Sequence, residues 1–153
     1  MEVLRLKVTI LGIKGVYRII EATGNCTFDD LHYIIFEAFG RDDDHLYSFF
    51  ITRENTQSVR KIYNAPEITH PMNLENQFGF KRRKKSTYKT KIGKIGLQEK
   101  DIFYYLFDFG DEWWHRIRVE SIKETKDRKK SIKIIKSVGD APPQYDYLDE
   151  DEE

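Results

Sequence analysis

Apolar and polar residues alternate most clearly between residues 103 and 120. Apolar side chains occupy one side of a first segment and one side of a second segment, and they are Phe103, Tyr105, Phe107, Ile117 and Val119. Alternation with a period of two is typical of strands that bury one face. The pattern predicts a β-hairpin whose returning strand begins with two tryptophans and a histidine.

The loop of this hairpin, residues 108–112, combines two aspartates with a glycine. Glycine adopts positive φ angles without a steric penalty, and aspartate side chains accept hydrogen bonds from nearby backbone N–H groups. We therefore expect Gly110 to take a positive φ angle, and Asp108 and Asp111 to cap the turn.

The same alternation predicts four further strands, at residues 3–12, 16–22, 46–52 and 131–138. The first two are close enough to form an antiparallel hairpin. Apolar residues at helical spacing predict one helix between Thr27 and Gly40. Thr27 is a good N-cap, Asp30 completes a capping box, and Gly40 suits the position after the last turn.

Residues 53–80 show no clear period, which predicts a long irregular excursion. The order ββαβ…βββ predicts an α+β fold, a mixed and mostly antiparallel sheet packed on one main helix with a β-grasp-like element order. We expect residues 1–145 to form a single domain with a basic loop at 81–94. Residues 146–153 are expected to be a disordered acidic tail.

The formal net charge of zero hides a strong asymmetry along the chain. Residues 1–80 carry 8 basic and 11 acidic side chains, and residues 81–145 carry 18 basic and 9 acidic side chains. The last eight residues carry 6 acidic side chains and no basic one. Local patches steer binding more than total charge does, so the basic segment favours a polyanionic partner.

The single cysteine, Cys26, excludes an intramolecular disulfide and a zinc site with several thiolates. No apolar run is long enough to span a membrane and no signal peptide is evident, so the sequence predicts a cytoplasmic protein with no membrane partner. It predicts no cofactor and no metal, because it lacks a phosphate-binding loop, a nucleophile elbow, a redox motif and a paired histidine spacing.

Residues 81–94 are the strongest nucleic-acid signal, with eight basic side chains and no acidic one. Clustered lysine and arginine neutralise phosphates, and a tryptophan between arginines can stack on a base. The predicted nucleic-acid-binding residues are Lys81, Arg82, Arg83, Lys84, Lys85, Lys89, Trp114, Arg116 and Arg118. The alternatives are a solvated loop that pairs with the acidic tail, and arginine stems that simply pack on the tryptophan.

A second candidate site, catalytic or metal-binding, consists of Asp108, Asp111, His115, His45 and His32. Histidine titrates near neutral pH, and a cluster of histidine and carboxylate can hold a divalent metal or transfer protons. The alternative is structural: the aspartates cap the turn, and His115 shares its strand face with Ile117 and Val119 in the core. Trp113 and Trp114 are expected on opposite faces, because they are adjacent on a strand.

Three segments carry a family resemblance. They are DLHYIIFEAFG at 30–40 followed by HLYSFFI at 45–51, LFDFGDEWWHRIRVE at 106–120, and VGDAPPQYDY at 138–147. Together they resemble the plasmid pRiA4b ORF-like family, also labelled as transposon passengers with a resolvase-like name. The resemblance implies an α+β fold, an association with mobile elements, and an activity that is not established.

The chain departs from the family pattern at four positions. Arg41 stands where the family usually has Trp, and Tyr47 where it has a second His. Gln144 and Tyr145 replace Glu-Asp after the two prolines.

Two classes of function remain open. The first is a non-enzymatic binding module that holds nucleic acid or an acidic protein partner through the basic 81–94 region. The second is a small enzyme or metal-binding protein that uses the Asp/His cluster at the hairpin. The sequence favours the binding module over the enzyme.

Overall fold

The fold is built on an eight-stranded sheet. The structure is a computed structural model that describes residues 1–74 and 84–145. In chain order its elements are β1 (Glu2–Ile10), β2 (Tyr17–Thr23), α1 (Phe28–Ala38), β3 (Tyr47–Phe50), α2 (Val59–Asn64), β4 (Glu67–Thr69), β5 (Lys85–Ser86), β6 (Ile102–Phe107), β7 (Trp113–Glu124) and β8 (Ile132–Val138). The strand order across the sheet is β5-β4-β3-β6-β7-β1-β2-β8. Within the described residues, β4 and β5 pair in parallel and the other neighbours are antiparallel. The predicted α+β class with a mixed, mostly antiparallel sheet is confirmed.

Both predicted hairpins form. In the β1–β2 hairpin Leu6 lies opposite Ile20, and in the β6–β7 hairpin Phe103 lies opposite Ile117. The apolar positions of the predicted alternation are all buried in one core cluster, on one side of the sheet. Burying such side chains contributes roughly 1.5–3 kcal/mol each, and this burial fixes which face of each strand points inward.

Helix α1 covers this apolar side, and its ends are capped as the sequence predicts. The Thr27 hydroxyl accepts a hydrogen bond from Asp30 N at 3.0 Å, and the Asp30 carboxylate accepts one from Thr27 N at 2.9 Å. Gly40, with φ +62°, follows the last turn. Leu31 and Ile35 on the inner stripe are buried, so the capping box and the apolar stripe together place α1 on the sheet.

The prediction of an irregular excursion over residues 53–80 is wrong for the part that the structure describes. This part contains α2 and β4, and Ser58 caps α2 by accepting a hydrogen bond from Lys61 N at 3.3 Å. Helix α2 packs Ile62 against Tyr104 and other residues on the face opposite α1, where they form a second, smaller core. Elements of three to six residues are too short to show a period, which is why the sequence pattern missed them.

No described helix has both the length and the apolar character needed to cross a membrane. Two predictions lie outside the described residues: the contribution of Lys81, Arg82 and Arg83, and the disorder of residues 146–153.

Candidate functional site

The hairpin loop between β6 and β7 is organised by Asp108. This residue has φ 64°, and its Oδ1 accepts hydrogen bonds from Gly110 N at 3.0 Å and Asp111 N at 3.3 Å. The expectation that Gly110 takes a positive φ angle is wrong, since Asp108 and Glu112 adopt the positive angles instead. Asp108 alone provides the cap that was also expected from Asp111: among the hydrogen bonds of the described residues, Asp111 takes part through its backbone N–H, which donates to Asp108 Oδ1. Aspartate tolerates the left-handed region better than most residues do, so it can hold both the strained angle and the cap.

His115 is fully buried on the α1 face of β7, as its shared face with Ile117 predicts. Arg41 Nη2 lies 2.9 Å from His115 Nε2, and Tyr105 O lies 3.3 Å from His115 Nδ1. A guanidinium can only donate, so Nε2 is the acceptor and Nδ1 carries the proton. Burial, reinforced by the Arg41 charge, lowers the pKa of His115 to about 3. His115 is therefore neutral, with both ring nitrogens engaged.

The guanidinium of Arg41, which faces His115, is surrounded by three aromatic rings. The Arg41 Cζ atom is 4.7 Å from the ring centroid of Trp113, 5.3 Å from that of Phe107 and 5.7 Å from that of Phe39. Burial lowers the pKa of Arg41 to about 10. Within the described residues, Arg41 Nε and Trp113 Nε1 are buried without a hydrogen-bond partner, so ring contacts replace the usual carboxylate.

His32 is buried on the side of Tyr105 away from His115, and its two ring nitrogens contact two different side chains. Its Nε2 lies 2.8 Å from Asp44 Oδ1, its Nδ1 lies 2.5 Å from the Tyr105 hydroxyl, and its ring stacks on Tyr47 at 3.7 Å. Burial lowers the pKa of His32, against the opposing effect of Asp44. The neutral ring thus donates to Asp44 and accepts from Tyr105.

His45 is the accessible member of the predicted set. Its Nε2 lies 3.6 Å from Asp108 Oδ2 and 3.2 Å from the Tyr145 hydroxyl. It lines an open cleft of about 350 Å³ with Asp44, Leu46 and His70.

The structure thus brings His32, His45 and His115 around Tyr105 and Phe107, but not into one cavity, because two of them are fully buried. Among residues 1–74 and 84–145, no three histidine, cysteine or acidic side chains are grouped to hold a metal ion. A metal or proton-transfer role for Asp108, Asp111 and these histidines stays a prediction.

The predicted nucleic-acid-binding residues fall in two separate places. Lys85 lies on β5, at one edge of the sheet, and Arg116 and Arg118 lie on β7, with three strands between. Lys84 lies 3.6 Å from Glu67, and Lys89 is exposed beyond β5. The basic segment and the arginines beside Trp114 therefore do not form one surface.

Trp113 and Trp114 lie on opposite faces of the sheet, as predicted. The Trp114 ring is half-buried in the second core, 5.8 Å from the ring of Phe50 and 5.5 Å from that of Tyr63. This packing engages the Trp114 ring with two other aromatic rings, so its first role is in the second core.

The sheet face opposite α1 presents a surface that the sequence analysis missed. On β7, β1, β2 and β8 it carries seven cationic side chains, which we call the basic sheet face: Arg5, Lys7, Arg116, Arg118, Lys123, Lys133 and Lys136. Two carboxylates accompany them, with Arg5 3.1 Å from Glu21 and Arg118 in an ion pair with Glu120. No described helix covers this part of the sheet, because α2 packs on β3 and β6.

Strand register assembles the basic sheet face. Lys7 on β1 lies opposite Arg118 on β7, although 111 positions separate them in the sequence. On the other side of β1, Ile19 on β2 separates Lys7 from Lys136 on β8. The alternation in residues 3–12 places Lys7 on the polar face of its strand. In residues 131–138 it groups Lys136 with Ile132 and Ile134, and a register shift between Ile19 and Ile20 turns Lys136 to the opposite face. Only the pairing shows that these lysines lie on one surface.

Comparisons with known proteins agree with this picture of the fold. The sequence matches the family described as plasmid pRiA4b ORF-3-like protein over residues 2–146. The chain belongs to this family. A comparison with curated proteins finds no match.

A solved structure is similar to this member of the family. It is the crystal structure of the protein of unknown function MM3350 from Methanosarcina mazei Go1, with 28% sequence identity and a TM-score of 0.70. The similarity covers 94% of this chain and 73% of the other. The family and this neighbour share the fold and leave the activity open.

One departure from the family pattern has a structural explanation. Arg41 stands where the pattern usually has Trp, and its side chain lies among aromatic rings. A flat, delocalised guanidinium stacks on rings as an aromatic side chain does, which suits Arg41 to this position among the rings.

Proposed function

We propose that the protein is a nucleic-acid-binding module that holds the phosphate backbone on the basic sheet face. The observation that supports this proposal is the excess of seven cations over two carboxylates on a sheet face that no described helix covers. The whole chain has a formal net charge of zero, so this excess is a property of one surface rather than of the composition.

The cations are distributed as a phosphate backbone requires. From Lys136 to Arg118 they cross four neighbouring strands, a span of about 14 Å at the usual strand spacing. A row of charges of this width can neutralise several phosphates at once and release their counterions.

The two carboxylates offset little of this charge. The side chains of Arg5 and Arg118 are 47% and 42% exposed, so their ion pairs are surface pairs, which typically contribute about 0–1 kcal/mol. Phosphates can replace such partners at small cost. Lys7 and Lys136 form no ion pair with a described carboxylate, and both lie near the ring of Tyr17.

The basic segment 81–94 remains a proposed second contact. Its described lysines at 85, 89, 91 and 94 are exposed. Lys85 lies on β5 at the far edge of the sheet, whereas Lys91 and Lys94 line a cavity with Glu2 and Glu124, at the ends of β1 and β7. The experiment below separates the two surfaces.

The test compares two double variants of equal charge change. Lys7→Gln with Lys136→Gln removes two cations from the basic sheet face. Lys85→Gln with Lys89→Gln removes two exposed cations from the part of the basic segment at β5, on the far edge of the sheet. Fluorescence anisotropy with a labelled oligonucleotide of about 12 nucleotides gives the affinity at several salt concentrations. For four neutralised phosphates on a single strand, the log–log salt slope of the parent is about −2.8, and the first variant should reduce it to about −1.4.

The second double variant should lose less affinity and less salt slope than the first if the basic sheet face is the main contact. Equal slopes for the parent and the first variant would contradict the proposal. A loss confined to the second variant would transfer the function to the basic segment. Far-UV circular dichroism and urea midpoints confirm that each variant is folded.

A further inference from the structure

We infer that the ligand of the basic sheet face is single-stranded nucleic acid, with one base stacked on Tyr17. This inference rests on the proposed function. It adds the class of nucleic acid that binds and the residue that distinguishes single strands from duplex.

Tyr17 is an aromatic side chain at one end of the basic sheet face, beside two of the cations. It begins β2, it lies opposite Thr9 on β1 and Val138 on β8, and it is half-buried on the face away from α1. Lys7 Nζ lies 4.4 Å from its ring centroid and Lys136 Nζ lies 5.9 Å from it. The lysine ammonium groups can leave the Tyr17 ring and contact the phosphates of the ligand. A base can then stack on the ring in their place.

The width of the surface disfavours entry into the major groove of a duplex. The four strands β7, β1, β2 and β8 make a face about 14 Å wide, whereas a major groove about 12 Å wide admits a helix or a two-stranded ribbon. Base pairs of a duplex would therefore stay out of reach. A single strand can lie across the sheet with its bases on the surface, as it does in sheet-based RNA-binding domains.

Trp114 does not replace Tyr17 in this role. Its ring is packed against Phe50 and Tyr63 in the second core, whereas the face around Tyr17 has no described helix over it. The stacking position is thus assigned to Tyr17, one of the residues that the sequence analysis left unmarked.

The experiment uses the full chain and three substitutions. Tyr17→Leu removes the ring, Tyr17→Phe keeps it, and Tyr33→Leu removes a half-exposed ring from α1 on the other side of the sheet. Each variant is titrated with labelled single strands and with the matching duplex, each of about 12 nucleotides in length, at fixed salt and across a salt series.

The parent should bind single strands more tightly than duplex. Tyr17→Leu should weaken single-strand binding about 5- to 140-fold, the value of one stacked base, and should leave the salt slope unchanged because the phosphate contacts remain. Tyr17→Phe and Tyr33→Leu should bind like the parent. Duplex binding should be the same in all four proteins.

Four results would overturn the inference. If Tyr17→Leu binds single strands like Tyr17→Phe, or if the duplex binds as tightly as the single strand, the inference fails and the proposed function stands. If neither nucleic acid shows salt-dependent binding, both fail. If poly-glutamate competes as well as the oligonucleotide at equal charge, the surface is a site for acidic protein segments.

Discussion

The buried contact between Arg41 and His115 predicts a specific dependence of stability on pH. The perturbation is His115→Gln, which keeps an oxygen that can accept from Arg41 and removes the titrating group. We expect the free energy of unfolding to depend on pH differently in the parent and in this variant below neutral pH. Above neutral pH the two dependences should be the same.

The sign and the size of the effect follow from the pKa of His115. Its value is about 3 in the folded protein, against an ordinary value of 6.5 that applies to the unfolded chain. Between these values the unfolded state binds a proton that the folded state excludes, so stability is complete above pH 6.5 and declines as the pH falls. The loss is about 1.4 kcal/mol per pH unit, or about 3 kcal/mol at pH 4.5.

Urea unfolding at pH 4.5 to 8 measures this effect, with Trp113 and Trp114 as fluorescence probes on the neighbouring strand positions. Other groups titrate as well, including His32, whose pKa burial also lowers. These groups are shared by the parent and the variant, so the difference between the two curves isolates His115. The difference should be constant above pH 6.5 and should shift by about 3 kcal/mol in favour of the variant by pH 4.5.

Parallel curves over the whole range would refute the reasoning. They would show that folded and unfolded His115 bind a second proton equally as the pH falls. The contact with Arg41 Nη2 would then break at low pH, because both groups would be donors. His115→Phe provides a second readout. It deletes the acceptor and leaves the buried guanidinium with one partner fewer, so it should lose about 1–3 kcal/mol at pH 7, where His115→Gln loses less.

Two further predictions concern the hairpin loop and the C-terminal segment. Asp108→Ala should lower the free energy of unfolding in urea by about 1–3 kcal/mol, because it removes two hydrogen bonds to backbone N–H groups and places alanine at a positive φ angle. Asp111→Ala should change it by no more than about 0.5 kcal/mol. Equal losses in the two variants would contradict the assignment of the cap to Asp108. Gln144 is buried, accepts from Asp42 N and Asp43 N, and donates from Nε2 to Asp43 O at 2.9 Å. Gln144→Glu should therefore cost about 1–3 kcal/mol at pH 7, and a thermal midpoint equal to that of the parent would show that this donor contributes nothing.

Local chemistry made much of the fold predictable. The period-two alternation identified the strands of both hairpins, and the Thr27 and Asp30 pair located the start of α1 to the residue. These features depend on neighbours within four positions, so they are present in the sequence itself. The burial of His115 was predictable for the same reason, since Ile117 shares its strand face.

The loop chemistry was only half predictable. The residues 108–112 carry the composition of a tight turn, but composition does not determine which residue takes the positive φ angle. Asp108 takes it because its side chain can bond two backbone N–H groups ahead of it, and Gly110 is then left in an ordinary conformation.

The candidate binding surface was decided by the tertiary structure. The sequence determined that Lys7 and Arg118 occupy polar faces of their strands, and it placed Tyr17 near the start of another. It grouped Lys136 with Ile132 and Ile134, and only the register shift between β2 and β8 turns Lys136 to the basic sheet face. Which strands lie side by side, and in which register, depends on pairings between segments more than 100 residues apart. Burial of the apolar face drives these strands to pair. The position of each cation on the opposite face follows from that pairing. Local periodicity therefore shows which side of a strand is charged, and only the assembled sheet shows that four such sides make one basic surface.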